Sequence, residues 1–235
     1  MKARKILVSL AALALVAAIS IGGTIAYLTS TKTVTNTFTV GDVKITMDEA
    51  LVNADGKPVK EDGTVVTNLA DAKRVYENSY KLLPGHVYTK DPTVKVEPKS
   101  EAAYLRILVK VDSMDKLQAA FPAKDNSDYY ANGVFLLQKL VDWDPATTDW
   151  NYYGYDAATS TYEFRYKTTV ANDTDTATPL QPLFTKVIVP GDIDNDHLAK
   201  LNEVKIEIVA QAIQADGFVA TTDKTAADVA WAAFK

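Results

Sequence analysis

The sequence predicts an all-β protein, an antiparallel sandwich with short helical decorations. Short runs of apolar–polar alternation recur along the chain, clusters of turn-forming residues separate them, and helical signals are few. Composition agrees. A chain of 235 residues that is 47% hydrophobic, with 30 acidic and 25 basic residues, has ordinary globular character and room for one sizeable core.

Phe38 and Val40 precede a Gly41-Asp42 turn, after which Val43, Ile45 and Met47 share one face and Lys44, Thr46 and Asp48 the other. That is the pattern of a half-buried strand. Leu105, Ile107, Val109 and Val111 repeat it against Arg106 and Lys110, Tyr162, Phe164 and Tyr166 against Glu163, Arg165 and Lys167, and Val204, Ile206 and Ile208 against Lys205 and Glu207. Reversals are expected at Asn53 to Pro58, at Glu61-Asp62-Gly63 and at Leu83-Pro84-Gly85. Ser113 is positioned to cap a helix reaching about Phe121 before Pro122, and Thr225 to cap an Ala-rich helix carrying Trp231 and Phe234. Asn172 to Pro182 reads as a long loop inside one domain. Trp143 to Tyr166 holds two Trp and several Tyr around an expected hairpin, where cross-strand aromatic pairing is the favoured role and an exposed platform for sugar rings the alternative.

The N-terminus carries Lys2, Arg4 and Lys5, then an uncharged apolar run from Ile6 to Ile21, then small residues. This is the order of a signal peptide, with Thr24 and Ala26 flanking Ile25 in an A-x-A-like site, so residues 1–26 are expected to be removed between Ala26 and Tyr27. A retained anchor is the competing reading, because the apolar run extends toward the roughly 20 residues that span a bilayer. Cleavage takes the formal charge from −5 to −8, which excludes a basic nucleic-acid footprint. An exported chain without Cys must rely on its hydrophobic core rather than on disulfides.

Catalytic signatures are missing from the sequence: it has no G-x-S-x-G, no glycine-rich phosphate loop and no H-E-x-x-H, and its two histidines, His86 and His197, lie in no nucleophile context. No enzyme activity and no cofactor are expected. Asp192, Asp194, Asp196 and Glu203 have the spacing of a Ca²⁺ loop, but His197 stands where such a loop needs glycine. A Pro-Gly turn leading into a capped helical turn is the favoured reading there.

Several segments together, the export segment GGTIAYL, then TNTFTVGDVKITMDEA, LLPGHVYTKDPTVKVEP and VKIEIVAQAIQADGF, resemble the TasA/camelysin group of Gram-positive matrix proteins. The resemblance implies a jelly-roll-like β domain, export, processing by a SipW-type signal peptidase, and assembly into extracellular or cell-surface biofilm fibres. It also implies that the segment freed by cleavage completes the sheet of the next subunit. On this chain that donor strand is Tyr27 to Val40, with Thr35, Thr37, Phe38 and Val40 as its pairing and inserting residues, followed by the β domain 41–235.

Elementary chemistry points the same way. Thr29 to Val40 is rich in β-branched residues, lacks Pro and carries only Lys32 as a charge, so it suits edge-on addition to a sheet. The expected partners are other copies of the chain and the signal peptidase, with the membrane involved only through the precursor's leader. A monomeric adhesin or carbohydrate-binding β domain is the alternative.

Overall fold

The computed structural model describes residues 42–121 and 140–234, all within the unit Gly41–Lys235. The described chain is an all-β antiparallel sandwich. One sheet has the order β2-β1-β4-β9, built from β1 (Ile45–Ala50), β2 (Arg74–Val75), β4 (Thr93–Val96) and β9 (Thr178–Pro179). The second has the order β11-β5-β7-β6, from β11 (Lys205–Gln214), β5 (Ser100–Asp112), β7 (Thr161–Tyr166) and β6 (Trp150–Asp156), with β8 (Val170–Asn172) also paired to β5. A two-stranded ribbon joins β3 (Val87–Thr89) to β10 (Lys186–Ile188).

The alternation in the sequence becomes the two faces of the long central strand. On β5, Leu105, Ile107, Val109 and Val111 are buried, and they meet Tyr162 and Phe164 of β7 and Val94 and Val96 of β4 in one shared core. Burying each such side chain stabilises the fold by about 1.5–3 kcal/mol before entropy is counted. The expected aromatic hairpin is β6–β7. Its rings are cross-strand pairs, Trp150 with Tyr166 at 5.0 Å, Tyr152 with Phe164 at 5.8 Å and Tyr155 with Tyr162 at 4.6 Å between centroids.

Three short helices decorate the described sheets: α1 (Met114–Ala120), α2 (Asn195–Lys200) and α3 (Ala226–Ala233). Thr225 caps α3, as the sequence predicts, and the structure adds Asp228, which completes a capping box. Ser113 stands before α1, but its backbone is left-handed (φ 62°) and its side chain makes no capping bond; α1 is held instead by buried Met114, Leu117 and Ala120. Asn172 to Pro182 is more than a loop. Asn172 is buried, its amide donates to the Val96 and Thr176 carbonyls, and Thr178–Pro179 adds a short strand beside β4. The predicted turn at Asn53 to Pro58 depends on Gly56, whose φ is +72° and where a Cβ would lie 2.3 Å from the Tyr88 ring.

Candidate functional site

The principal candidate is an open strand edge. The Ala215 N–H donates to the Ala102 carbonyl at 2.8 Å, in the register of the β11–β5 ladder. In an antiparallel pair the bonds alternate, so odd residues of β11 bond β5 while Ile206, Ile208, Ala210, Ala212 and Gln214 turn their N–H and C=O groups the other way. Among the described residues no strand pairs with that edge. The pairing with β5 runs without a bulge from Lys205 to Gln214, and Val209 to Ile213 contains neither a charge nor a proline.

A second open edge lies beside it. The Glu97 N–H donates to the Lys44 carbonyl at 3.0 Å, so even residues of β1 bond β4; β2 covers β1 only at Glu49 and Ala50, which leaves the outward groups of Ile45 and Met47 without a strand among the described residues. β1 and β11 run close to one another, and between them is a cleft of about 220 Å³ lined by Met47, Glu49, Ile206 and Ile208 among others. Its lining mixes apolar side chains seated on the core, Met47, Ile206 and Ile208, with polar and charged ones, Glu49, Asn78 and Lys90 among them. Unpaired backbone donors and acceptors beside apolar side chains suit an extended segment.

Three of the cleft's charged residues, Asp48, Glu49 and Lys90, belong to a compensated charge cluster beside it. Arg74 reaches Asp48 at 2.8 Å and Asp91 at 2.6 Å, Lys90 meets Glu49 at 2.5 Å, and Lys95 bonds Asp48. Asp91 also accepts the Ala50 N–H at 2.7 Å, and Glu49 accepts the Asn78 amide at 2.9 Å. Burial works against the Arg74 charge, but Asp91 and Asp48 outweigh it and hold the guanidinium above its usual range. Burial, with Glu49 and Asp91 nearby, pushes the Tyr80 hydroxyl up. These groups tie β1, β2 and β4 together, and removing one partner would leave a buried charge exposed to a large desolvation penalty.

The other predicted positions fall as follows. Ala26, Tyr27, Thr35, Thr37, Phe38 and Val40 lie outside the described residues. Asp194 caps α2, accepting the His197 N–H and ring Nδ1 at 2.8 Å each, and the His197 N–H is the main cause of its lowered pKa. Asp192 and Asp196 are exposed, and Glu203 ends a 3-10 turn, Leu201–Glu203. Among the described residues no three His, Asp or Glu side chains converge as a metal site. His86 follows Gly85 (φ 75°) in a turn and lies against Tyr88. Of the aromatic hairpin, Trp150, Tyr162 and Phe164 are buried and Tyr153 is the exposed ring.

Sequence reasoning ended the last strand early, at Ile208. The uncharged run Val209 to Ile213 was the available signal for the rest. It also missed the charge cluster, whose members come from separate segments and share no local pattern. Comparison with known protein families, curated proteins and solved structures gives no match to this chain.

Proposed function

We propose that this chain is an exported structural subunit that assembles into extracellular or cell-surface fibres by strand addition. Cleavage between Ala26 and Tyr27 frees residues 27–40, and that segment pairs with the β11 edge of a neighbouring copy. The observation that carries the reading is the ten-residue β11 edge, unbroken in register and unpaired among the described residues. The chain's resemblance to the TasA/camelysin group gives the same class of function, and no catalytic role is assigned.

Two contributions favour assembly. Each new backbone bond contributes about 0.5–1.5 kcal/mol net, and inserting Phe38 and Val40 adds roughly 1.5–3 kcal/mol for each side chain buried. These gains oppose the cost of ordering the segment, about 1–2 kcal/mol per residue for the backbone. An apolar leader still attached would hold the segment at the membrane, so cleavage acts as the assembly switch.

Mass spectrometry of the secreted protein should find Tyr27 at its N-terminus. Electron microscopy of protein beginning at Tyr27 should show fibres, and protein beginning at Gly41 should keep its β-rich circular dichroism but stay monomeric. Phe38→Asp should block growth by forcing a charge into the cleft. Normal fibres from the Gly41 protein would overturn the proposal.

A further inference from the structure

The outer face of the five-stranded sheet carries a second feature, independent of the strand edge. A groove of about 900 Å³ lies over β5, β7 and β6, bordered by the hairpin turn at Ala158 to Ser160 and by Tyr153. Its volume is at the upper end of the roughly 300–1,000 Å³ typical of sites for small molecules.

Tyr153 faces outward by the alternation of β6, in which Trp150 and Tyr152 turn to the core. The register of β6 against β7 shifts between Tyr152 and Gly154, so Gly154 follows Tyr153 at a bulge and Tyr155 returns to the core. Its ring is then fixed from behind. The Arg165 guanidinium stacks 3.2 Å from the ring centroid, and the hydroxyl lies 3.2 Å from Asp228, which itself bonds Arg165 at 2.6 Å. Tyr153 nevertheless remains 55% exposed and borders the groove, so the part of its ring not stacked on Arg165 is accessible to a ligand.

Beside this ring the wall is cut away. Gly154 borders the groove, and a Cβ built there meets nothing within 4 Å. Gly154 pairs with Glu163, and Glu163 pairs with Leu108 of β5, so the floor next to the aromatic ring is low and partly apolar. Polar groups surround it. The Ser113 and Ser160 hydroxyls line the groove with no hydrogen-bond partner among the described residues, and both serines hold left-handed backbones, φ 62° and 53°, that β-carbon residues rarely adopt. Lys110 and Asp112 add one charge of each sign.

We infer that this groove binds a neutral pyranose oligosaccharide, stacked on Tyr153 and resting over Gly154. A pyranose ring has an apolar face of C–H groups and a rim of hydroxyls, and the groove presents an open aromatic face ringed by donors and acceptors. Alkyl chains fit poorly, because the lining is rich in hydroxyl and charged groups. Polyanions fit poorly too, because Asp112, Asp156 and Glu163 outnumber Arg106 and Lys110 in the lining. A fibre carrying such a groove in every subunit would bind glycan repeatedly, so weak single sites become strong together.

The test is isothermal titration of the secreted protein, using cellohexaose and chitohexaose with an alginate oligomer as the anionic comparator. Binding of at least one neutral hexamer is expected, with little dependence on salt. Tyr153→Ala should weaken it at least tenfold, and Tyr153→Phe should retain most of it because the platform survives. Gly154→Val projects into open space, so the fold should tolerate it while the filled saddle weakens binding at least tenfold. All three variants should form fibres like the parent, which separates this inference from the assembly proposal. Absence of binding by either neutral hexamer, tighter and salt-sensitive binding of alginate, or indifference of binding to both Tyr153→Ala and Gly154→Val would each overturn it.

Discussion

The two outer strands of the five-stranded sheet, β6 and β11, face the same hazard and meet it differently. An edge strand displays unpaired N–H and C=O groups that invite another strand, and natural sheets blunt such edges. β6 is short and bulged. The Trp150 N–H, which by register points away from β7, donates to Thr148 Oγ1 at 3.2 Å, and the bulge beside Gly154 breaks the line of groups that a new strand would need. β11 keeps ten residues in continuous register with β5 and has neither bulge nor proline; its charges, Lys205 and Glu207, are confined to one end. One edge is closed by local chemistry and the other is left open, which is the asymmetry expected of a subunit that adds strands at one site only.

The largest effect expected within β11 comes from proline placed by parity. At Ala210 the N–H points to the open edge, so Ala210→Pro removes a donor that β5 does not use, at a position where edge strands tolerate proline. Fibre growth by protein beginning at Tyr27 should fall at least tenfold with the fold retained. At Val209 the N–H bonds β5, and Val209→Pro should instead destabilise the monomer by about 1–3 kcal/mol, read by urea unfolding. Equal growth by Ala210→Pro and the parent would break the comparison, since β11 would then not be the accepting edge.

How much of this was legible beforehand depended on range. Alternation along β5, β7 and the first half of β11 gave their buried faces correctly, because a strand's two faces are a property of successive residues. Thr225 revealed the α3 cap for the same reason, while the part of Asp228 in it came only with the structure. Ser113 misled, since a capping residue type says nothing of the backbone it will adopt, and here tertiary packing of Leu117 holds the helix. Which strand ends a sheet is fixed by partners far away in sequence, so neither the open β11 edge nor the Asp48, Arg74 and Asp91 cluster could be read locally. Tyr153 lay within the aromatic cluster seen in the sequence, and what separates it from buried Tyr162 is that each faces a different side of its strand.

A smaller effect sharpens the comparison from the β6 side. Thr148 is buried, and Thr148→Ala would leave the Trp150 N–H without its side-chain partner. The expected loss is about 1–3 kcal/mol of stability, the desolvation cost of an unsatisfied buried donor. Fibre growth, measured at a temperature where the variant is folded, should match the parent. Faster or branched growth would mean that β6 accepts strands once its guard is removed, and that the closure of this edge is the specific work of Thr148.

The smallest effect concerns the clamp that holds the bulged edge. Asp228 accepts bonds from the Thr225 hydroxyl at 2.7 Å and N–H at 3.1 Å, then from Arg165 and Tyr153, and these donors, Thr225 foremost, lower its pKa to about 2. A carboxylate whose folded pKa lies below its unfolded value of about 3.9 stabilises the fold fully above that value and loses the contribution as pH falls through the folded pKa. Docking of α3 against Arg165 and Tyr153 should therefore be constant from neutral pH to about pH 4 and weaken progressively toward pH 2. The Trp231 indole resonance reports it, since that ring is buried and lies 4.5 Å from the Arg106 guanidinium. Asp228→Asn should remove the acid-limb component while leaving α3 folded, because an asparagine oxygen still accepts from Thr225. If the Trp231 resonance moves identically in parent and variant, other carboxylates control the acid response and the clamp on the β6 bulge does not depend on the Asp228 charge; if it moves only in the parent, protonation of this one residue loosens the closed edge while β11 remains as it was.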